Sequence, residues 1–440
     1  MRDSIRELTD KEKEQYDARL RVLVGEGKSA KECAVVLRDE LNVASTFETV
    51  AYRARVLGIS FISKKKVRQS SVVAEEKLDE VVEKDRKIRL LEDEVNGLKQ
   101  RYQHTLREET LGERIIAGTV PQIKALKAAT PPIYLPDGNG VHSPQEAVCF
   151  ISCLHLDEVV SEDETMGLGN YSPALAGARF QYYIDSVIDL LKVHHKNERI
   201  DRVTLVDVGD NGSGAIHEEL RATNASPLGS QMVRAAHLLA AGVRDLAANF
   251  AEVEFVGTVG NHMRFDKKPA FKDKVGNNGD YVIYRMMEAL LADQTNVTMT
   301  IPLSPWATKT IQGHEFFFTH GDAIKMYFAF PWYDAKRYTS EMTQLLKAGG
   351  NPIPKYWGFG HFHQYNISQL SYGEWLFTGS SKGPDEYSIG RLRAGVPPNW
   401  LLFGVHPRRG LSFRYPIILS DADPEEQTRY QDIVKTTSRR

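Results

Sequence analysis

Five short stretches place metal-capable side chains just after an apolar run. In chain order they are Ile151-Ser152-Cys153-Leu154-His155-Leu156-Asp157, Val208-Gly209-Asp210-Asn211, Val259-Gly260-Asn261-His262, Thr319-His320-Gly321-Asp322 and Gly358-Phe359-Gly360-His361-Phe362-His363. Thiolate, imidazole and carboxylate are the groups that divalent transition metals take as ligands. Strand alternation would put 153 with 155, and 361 with 363, on one face. Open α/β sheets gather ligands at the C-terminal ends of their strands. Collected there, these residues make an oxygen- and nitrogen-rich pocket able to hold two divalent cations. Two cations ~3.5–4 Å apart acidify a shared water and clamp a phosphoryl group. His262 is suited to acid–base work, since imidazole is the side chain that titrates near neutral pH. Any one stretch alone would be unremarkable, because a lone Gly-Asp or core His is usually structural. Five in order, each at a predicted strand end, point to a site.

The elements that must position them follow from the surrounding pattern. Short β-rich apolar runs occur at 147–154, 203–208, 253–259, 316–319, 356–360 and 375–378, with helical stretches at 173–193 and 230–249. Alternation of this kind predicts a layered α/β domain over 147–420, followed by a polar tail over 421–440. Residues 117–146 hold Pro121, Pro131, Pro132, Pro136 and Pro144 and read as a linker. Over 69–116, Val81, Ile88, Val95 and Tyr102 recur every seven residues, with Leu91 and Leu98 between them. This pattern, interrupted by Lys84 and Thr105, predicts a helical, coiled-coil spacer and a homodimer; a single helix laid on the next domain is the alternative.

Residues 1–68 read as three short helices with tight turns, the outline of a helix-turn-helix. Ser29-Ala30-Lys31-Glu32 and Ser45-Thr46-Phe47-Glu48 resemble capping boxes at two of the helix starts. Arg53, Arg55, Lys64, Lys65, Lys66 and Arg68 form a basic stretch with no acid between Tyr52 and Ser70. Nucleic-acid binding, DNA first, is the expectation for this module, against a docking domain with a solvated basic tail. The whole chain gives no such signal: Lys+Arg 56 against Asp+Glu 58 leaves a net charge of -2, so any polyanion contact is local. With 440 residues and 42% apolar content, about two or three globular domains are expected. Three cysteines imply no disulfide framework. The charged start of the chain lacks a signal-peptide core, and an intracellular, cytoplasmic protein is expected.

The ordered series resembles the calcineurin-like metallophosphoesterases, whose pattern is D-x-H, G-D, G-N-H, H and G-H-x-H. The resemblance covers residues 147–420, and in texture it is nearest the SbcD-type DNA repair exonucleases and phage phosphoesterases. It implies an α/β (α+β) fold, a four-layer sandwich of two mixed β-sheets flanked by helices. It further implies that Cys153, His155 and His363 hold one metal, that Asp210 bridges, and that Asn261, His320 and His361 hold the second. His262 would stabilise the transition state and protonate the leaving oxygen. The activity implied is phosphodiester hydrolysis by a hydroxide shared between two metals, with nucleic acid as substrate. Imidazole ligands suit Mn²⁺, with Fe or Zn as alternatives.

Three departures bear on that reading. Cys153 stands where the family has Asp. Either it ligates as a softer donor, as in RNA lariat debranching enzymes of the same superfamily, or that site binds weakly, or the domain is a binding scaffold. Asp157, four residues on, lies where the motif often has Gly and is read as an outer contact. Met263 replaces the acid that orients the catalytic His in some relatives. Arg264 and His217 are candidate substrate contacts, with surface charge and helix start as their plainer readings. Lys325, Lys382, Arg391 and Arg393 are candidate phosphate contacts, each equally readable as surface charge. The rival activity is a phosphomonoesterase or protein phosphatase. A partner ATPase, as SbcD-type relatives have, is not readable from the chain.

Overall fold

The computed structural model describes residues 8–61, 86–97, 110–131, 145–196, 198, 200–327 and 331–435. The chain divides into two compact units, Met1–Gly97 and Leu98–Arg440.

In the first unit, α1 (Asp10–Gly25), α2 (Ala30–Leu41) and α3 (Phe47–Val56) close around Tyr16, Leu20, Leu23, Cys33, Leu37, Val50 and Ala54. Helix α1 opens on a Thr9/Glu12 capping box and α2 on the expected Ser29/Glu32 box. Helix α3 differs: its cap is Thr46, whose hydroxyl accepts from the Thr49 amide, while Ser45 is buried with its hydroxyl 3.0 Å from that of Tyr16. Ser45 therefore joins α1 to the α3 entry instead of capping. The paired guanidinium of Arg53 grips Asp17 at 2.6 and 2.7 Å, holding α3 on α1. Residues 86–97 are helical (α4), and Ile88, Leu91 and Val95 on it are exposed. The rest of the expected heptad pattern, including Val81, Leu98 and Tyr102, falls outside the described residues.

The second unit has four layers. One mixed sheet runs in the order β11-β10-β1-β2-β3-β4, with strands β1 (Glu146–Ile151), β2 (Arg202–Asp207), β3 (Glu252–Gly257), β4 (Val297–Thr300), β10 (Asn399–His406) and β11 (Gly410–Ile418). Strands β1 to β4 are parallel, and β10 and β11 close the edge antiparallel. The other is ordered β5-β6-β7-β9-β8, from β5 (Trp306–Ile311), β6 (His314–Thr319), β7 (Tyr356–Phe359), β8 (Asn366–Gln369) and β9 (Glu374–Phe377). Its β6, β7 and β9 are parallel, with antiparallel edges.

Side-chain alternation sorts the layers. Ala147, Cys149 and Ile151 of β1 face helices α6 (Pro173–Asp189), α8 (Leu228–Ala247) and α9 (Gly279–Leu290). Val148 and Phe150 face Phe316, Phe318, Tyr356 and Leu376 across the gap between sheets. Phe317, Trp357, Phe359, Trp375 and Phe377 point outward under α10 (Trp332–Ala348). Both faces of the central strands are thus buried, which explains their nearly unbroken apolar runs. Each fully buried aromatic of this kind contributes about 1.5–3 kcal/mol.

Two boundaries move. The expected linker begins with structure: α5 (Leu111–Thr119) and residues Val120, Ile123 and Leu126 pack on the helical core, and the Leu126 amide donates to Leu290 at 2.7 Å. The expected polar tail does likewise. Tyr430 and Val434 are buried, the latter in α11 (Gln431–Val434), while Arg429 pairs with Asp185 and Asp245. Few apolar residues, spaced irregularly, suffice to dock these segments on a surface already formed, so neither segment shows a periodic signal. No described helix is long and apolar enough to cross a membrane.

Candidate active site and metal centre

The site lies where β1, β2 and β3 of one sheet and β6 and β7 of the other all end. Cys153 and His155 are not on a strand, contrary to the pleat argument: β1 stops at Ile151, and β7 at Phe359 before His361 and His363. Their side chains converge for another reason. Cys153, His155, Asp210, His361 and His363 all have left-handed backbone, with φ of 54°, 47°, 61°, 65° and 54°. Such conformations cost non-glycine residues about 1–3 kcal/mol each and persist only where their surroundings enforce them.

The enforcing contacts are explicit. The amides of Cys153, His155 and Leu156 donate to the carbonyls of Gly209, Asp210 and Asn211 at 2.9, 2.9 and 3.0 Å, laying the first loop along the second. Ser380 and Ser381 donate to the carbonyls of Cys153 and Leu154 at 2.8 and 3.0 Å, and the Trp400 indole donates to Ser152 at 2.7 Å. Buried Asp280, at the start of α9, accepts from the amides of Asp210, Asn211 and Gly260 and from the Asn211 carboxamide, all at 2.9–3.1 Å. Asn278 donates to the Gly260 carbonyl at 2.8 Å. Gly260 must be glycine, since a Cβ there would lie 2.2 Å from Asp210 Oδ1. Asp280, Ser380 and Ser381 escaped the sequence reading; the one signal was the helix-start sequence Asn278-Gly279-Asp280.

Two clusters of candidate ligands result, drawn from three overlapping groups. Ligand atoms of Cys153, His155 and His363 lie within 4.8 Å of one another, as do those of Cys153, Asp210 and His320, and of His155, Asp210 and His262. His155 Nε2 is 3.2 Å from His363 Nε2. His320 Nε2 is 2.9 Å from Asp210 Oδ2, 3.0 Å from Asn261 Oδ1 and 3.2 Å from His361 Nδ1. The Val208 carbonyl, 2.8 Å from His320 Nδ1, can only accept, so Nδ1 carries a proton and Nε2 faces the cluster. Cys153 and Asp210 thus stand between the two groups.

Electrostatics prepares these groups. Burial holds His155, His361 and His363 in the neutral form that ligates metals, His361 lowered to about 4 and His363 to about 3. Burial opposes the Asp210 charge, but His320 and His262 beside it prevail and hold the carboxyl well below its usual range. Burial likewise opposes a charge on His320, yet Asp210 raises it to about 9. Burial, with Asp210 adding to it, pushes the Cys153 thiol up. The fit to divalent cations is good: thiol, imidazole and carboxylate donors converge with their ligand atoms within 4.8 Å of one another.

His262 stands beside the clusters, its ring edge-on to His155 at 4.6 Å. Its Nδ1 is 3.0 Å from the Ser213 carbonyl, leaving Nε2 to the cavity. That carbonyl orients the ring, and Met263 is buried against Gly212 and Gly279. The cavity measures about 490 Å³, and its walls include His217, Met326, Phe362, Lys382, Tyr387 and Leu392. His217 caps the short helix α7 (Glu218–Thr223), its ring 5.8 Å from that of His262.

The remaining predicted residues fall elsewhere. Arg264 donates to the carbonyls of Asn261, Asp266 and Lys267 at 2.9, 3.0 and 3.0 Å, so it clamps its own loop rather than reaching into the cavity. Asp157 is buried, accepts from Ser226 at 2.6 Å and pairs with Arg234 of α8. Arg53 is committed to Asp17, while Arg55 is exposed. Lys64, Lys65, Lys66 and Arg68 lie outside the described residues.

No protein-family model and no curated protein matches the sequence. Among solved structures, an archaeal phosphodiesterase aligns over 62% of this chain and 99% of its own at 11% identity, with a TM-score of 0.27. Vps29 from Entamoeba histolytica in complex with zinc aligns over 62% of this chain and 99% of its own at 12% identity, TM-score 0.26. Vacuolar protein sorting 29 from Cryptosporidium parvum does so over 63% and 94%, at 12% identity and TM-score 0.27. Scores this low say nothing of chemistry, which rests on the side chains themselves.

Proposed function

We propose that this chain is a metal-dependent phosphoesterase that cleaves phosphodiester bonds, with nucleic acid, DNA first, as its substrate. The observation that carries it is the convergence of seven donor side chains from five strand ends beside His262, five of them (His155, Asp210, Asn261, His361 and His363) lining one cavity. Cys153, His155 and His363 would hold one cation, Asn261, His320 and His361 the other, with Asp210 shared. The cations, when bound, neutralise charge at the phosphoryl group and acidify the attacking water. His262, oriented by Ser213, presents Nε2 to the cavity and in its imidazolium form donates a proton to the leaving oxygen. His217 flanks that path. Thiolate among the ligands favours Zn or Fe over the Mn²⁺ that the imidazoles alone would suggest.

The nucleic-acid part has a separate support. Lys382 is the one lysine or arginine among the described residues lining the cavity, and it is paired with Glu158 and Asp385. The basic residues that favour a polyanion are those of the sequence stretch Arg55, Lys64, Lys65, Lys66 and Arg68. The exposed strip Ile88, Leu91 and Val95 supports pairing of two chains.

The test is hydrolysis of bis-p-nitrophenyl phosphate, p-nitrophenyl phosphate and labelled single- and double-stranded DNA with Mn²⁺, Zn²⁺ or Fe²⁺. Diester cleavage that disappears in Asp210→Asn and His262→Ala is expected. Variants as active as the wild type would sink the proposal, and a strong monoester preference would replace it with a phosphomonoesterase.

A further inference from the structure

Beside His155 sit three buried charged side chains from two distant segments. Glu158 and Lys382 are each 4% exposed, and Asp385 is 8% exposed. Lys382 Nζ donates to Glu158 Oε1 at 2.6 Å and pairs with Asp385 on its other side. The second carboxylate oxygen, Glu158 Oε2, faces His155 Nδ1 at 3.4 Å. Both of those atoms are buried, and neither has another hydrogen-bond partner. A small rotation of either side chain closes the pair to hydrogen-bond distance.

Two orphaned polar atoms facing each other in a dry site are costly unless they bond. A carboxylate can only accept, so the bond requires the proton on His155 Nδ1. That leaves His155 Nε2 with its lone pair directed to His363 Nε2, 3.2 Å away, where a cation would be held. Lys382 fixes the carboxylate, and the loop that carries Lys382 also holds the Cys153 loop through Ser380 and Ser381. The three charges sum to -1, which favours a dication alongside.

We propose that Glu158, clamped by Lys382, is the positioning residue of the first metal site: it sets the tautomer and ring angle of His155 and strengthens it as a ligand. This rests on the metal-site reading above. Metal-ligating histidines commonly lean on such a carboxylate, and losing one weakens metal binding by about 10–100-fold.

The test is calorimetric titration of the full chain with Zn²⁺, comparing wild type, Glu158→Gln and Asp210→Asn. The expected result is that Glu158→Gln weakens one of two binding events by about 10–100-fold and leaves the other unchanged, while Asp210→Asn impairs both. If Asp210→Asn impairs binding but Glu158→Gln matches the wild type, the positioning role is overturned and the metal site stands. If Asp210→Asn also binds as wild type, the metal site itself is wrong. Should Glu158→Gln not fold, imidazole ¹H–¹⁵N correlation on ¹⁵N-histidine-labelled wild type decides, with His155→Gln assigning the signal. A proton on Nδ1 supports the proposal, and a proton on Nε2 alone overturns it.

Discussion

At the residue scale, the metal-free site holds protons that cations must displace. His320, raised to about 9 by Asp210, is charged at neutral pH, and burial keeps the Cys153 thiol protonated. Both must lose a proton to ligate, so metal affinity should rise as pH increases from 6 to 9. Near neutrality about two protons should leave when both cations are bound, one from Cys153 and one from His320. Titration in buffers of differing ionisation enthalpy counts them, and heats independent of buffer would contradict the expectation. Cys153 offers a spectroscopic check. Co²⁺ bound to the wild type should show a near-ultraviolet thiolate band that Cys153→Ser abolishes. An unchanged spectrum would mean the sulfur does not ligate. His262 lies outside the proposed ligand set, so His262→Ala should keep its metal content while kcat falls about 10²–10⁴-fold. The sequence showed which residue types occur and in what order. It did not show that Arg264 would turn back to its own loop, because that depends on carbonyls placed by a local fold.

At the element scale, helix α9 matters more than its distance from the ligands suggests. Asp280 at its start ties down the loops that carry Asp210 and Asn261. Asp280→Ala would strand four buried N–H donors, each worth about 1–3 kcal/mol. Partial relaxation should leave a net loss of about 3–5 kcal/mol in urea unfolding, together with loss of metal binding. A variant of wild-type stability would show that the loops hold their own shape. The strands β1, β2, β3, β6, β7 and β9 were legible because runs such as Val148 to Ile151 are buried on both faces. Strands β4, β5 and β8 were not, because residues such as Thr298, Lys309 and Ser368 on these edge strands leave no continuous apolar run. Strand β10 carries such a run, Trp400 to Val405, that the sequence reading passed over, whereas in β11 Ser412 and Arg414 interrupt it. The left-handed residues of the site were equally invisible, since even Asp and His, which enter that region more often than most, do so at only a small minority of positions.

At the scale of the whole molecule, the basic stretch and the metal-capable side chains belong to different units of the chain. Replacing Arg55, Lys64, Lys65, Lys66 and Arg68 by Glu should weaken DNA binding and flatten its salt dependence, by about 0.9 in log–log slope for each phosphate no longer neutralised. Hydrolysis of bis-p-nitrophenyl phosphate should be unchanged. Equal salt slopes in filter binding would mean that DNA is held by other residues. The sequence by itself determined the layered class, the order of the motifs and the identities of the converging donors, because burial patterns and donor chemistry are local properties. Tertiary structure alone decided that residues 110–131 and 421–435 belong to the large unit, that the Ser213 carbonyl stands behind His262, and that Glu158 and Lys382 stand beside His155. Each of these depends on contacts between segments far apart in the chain, which periodicity and motif spacing do not encode.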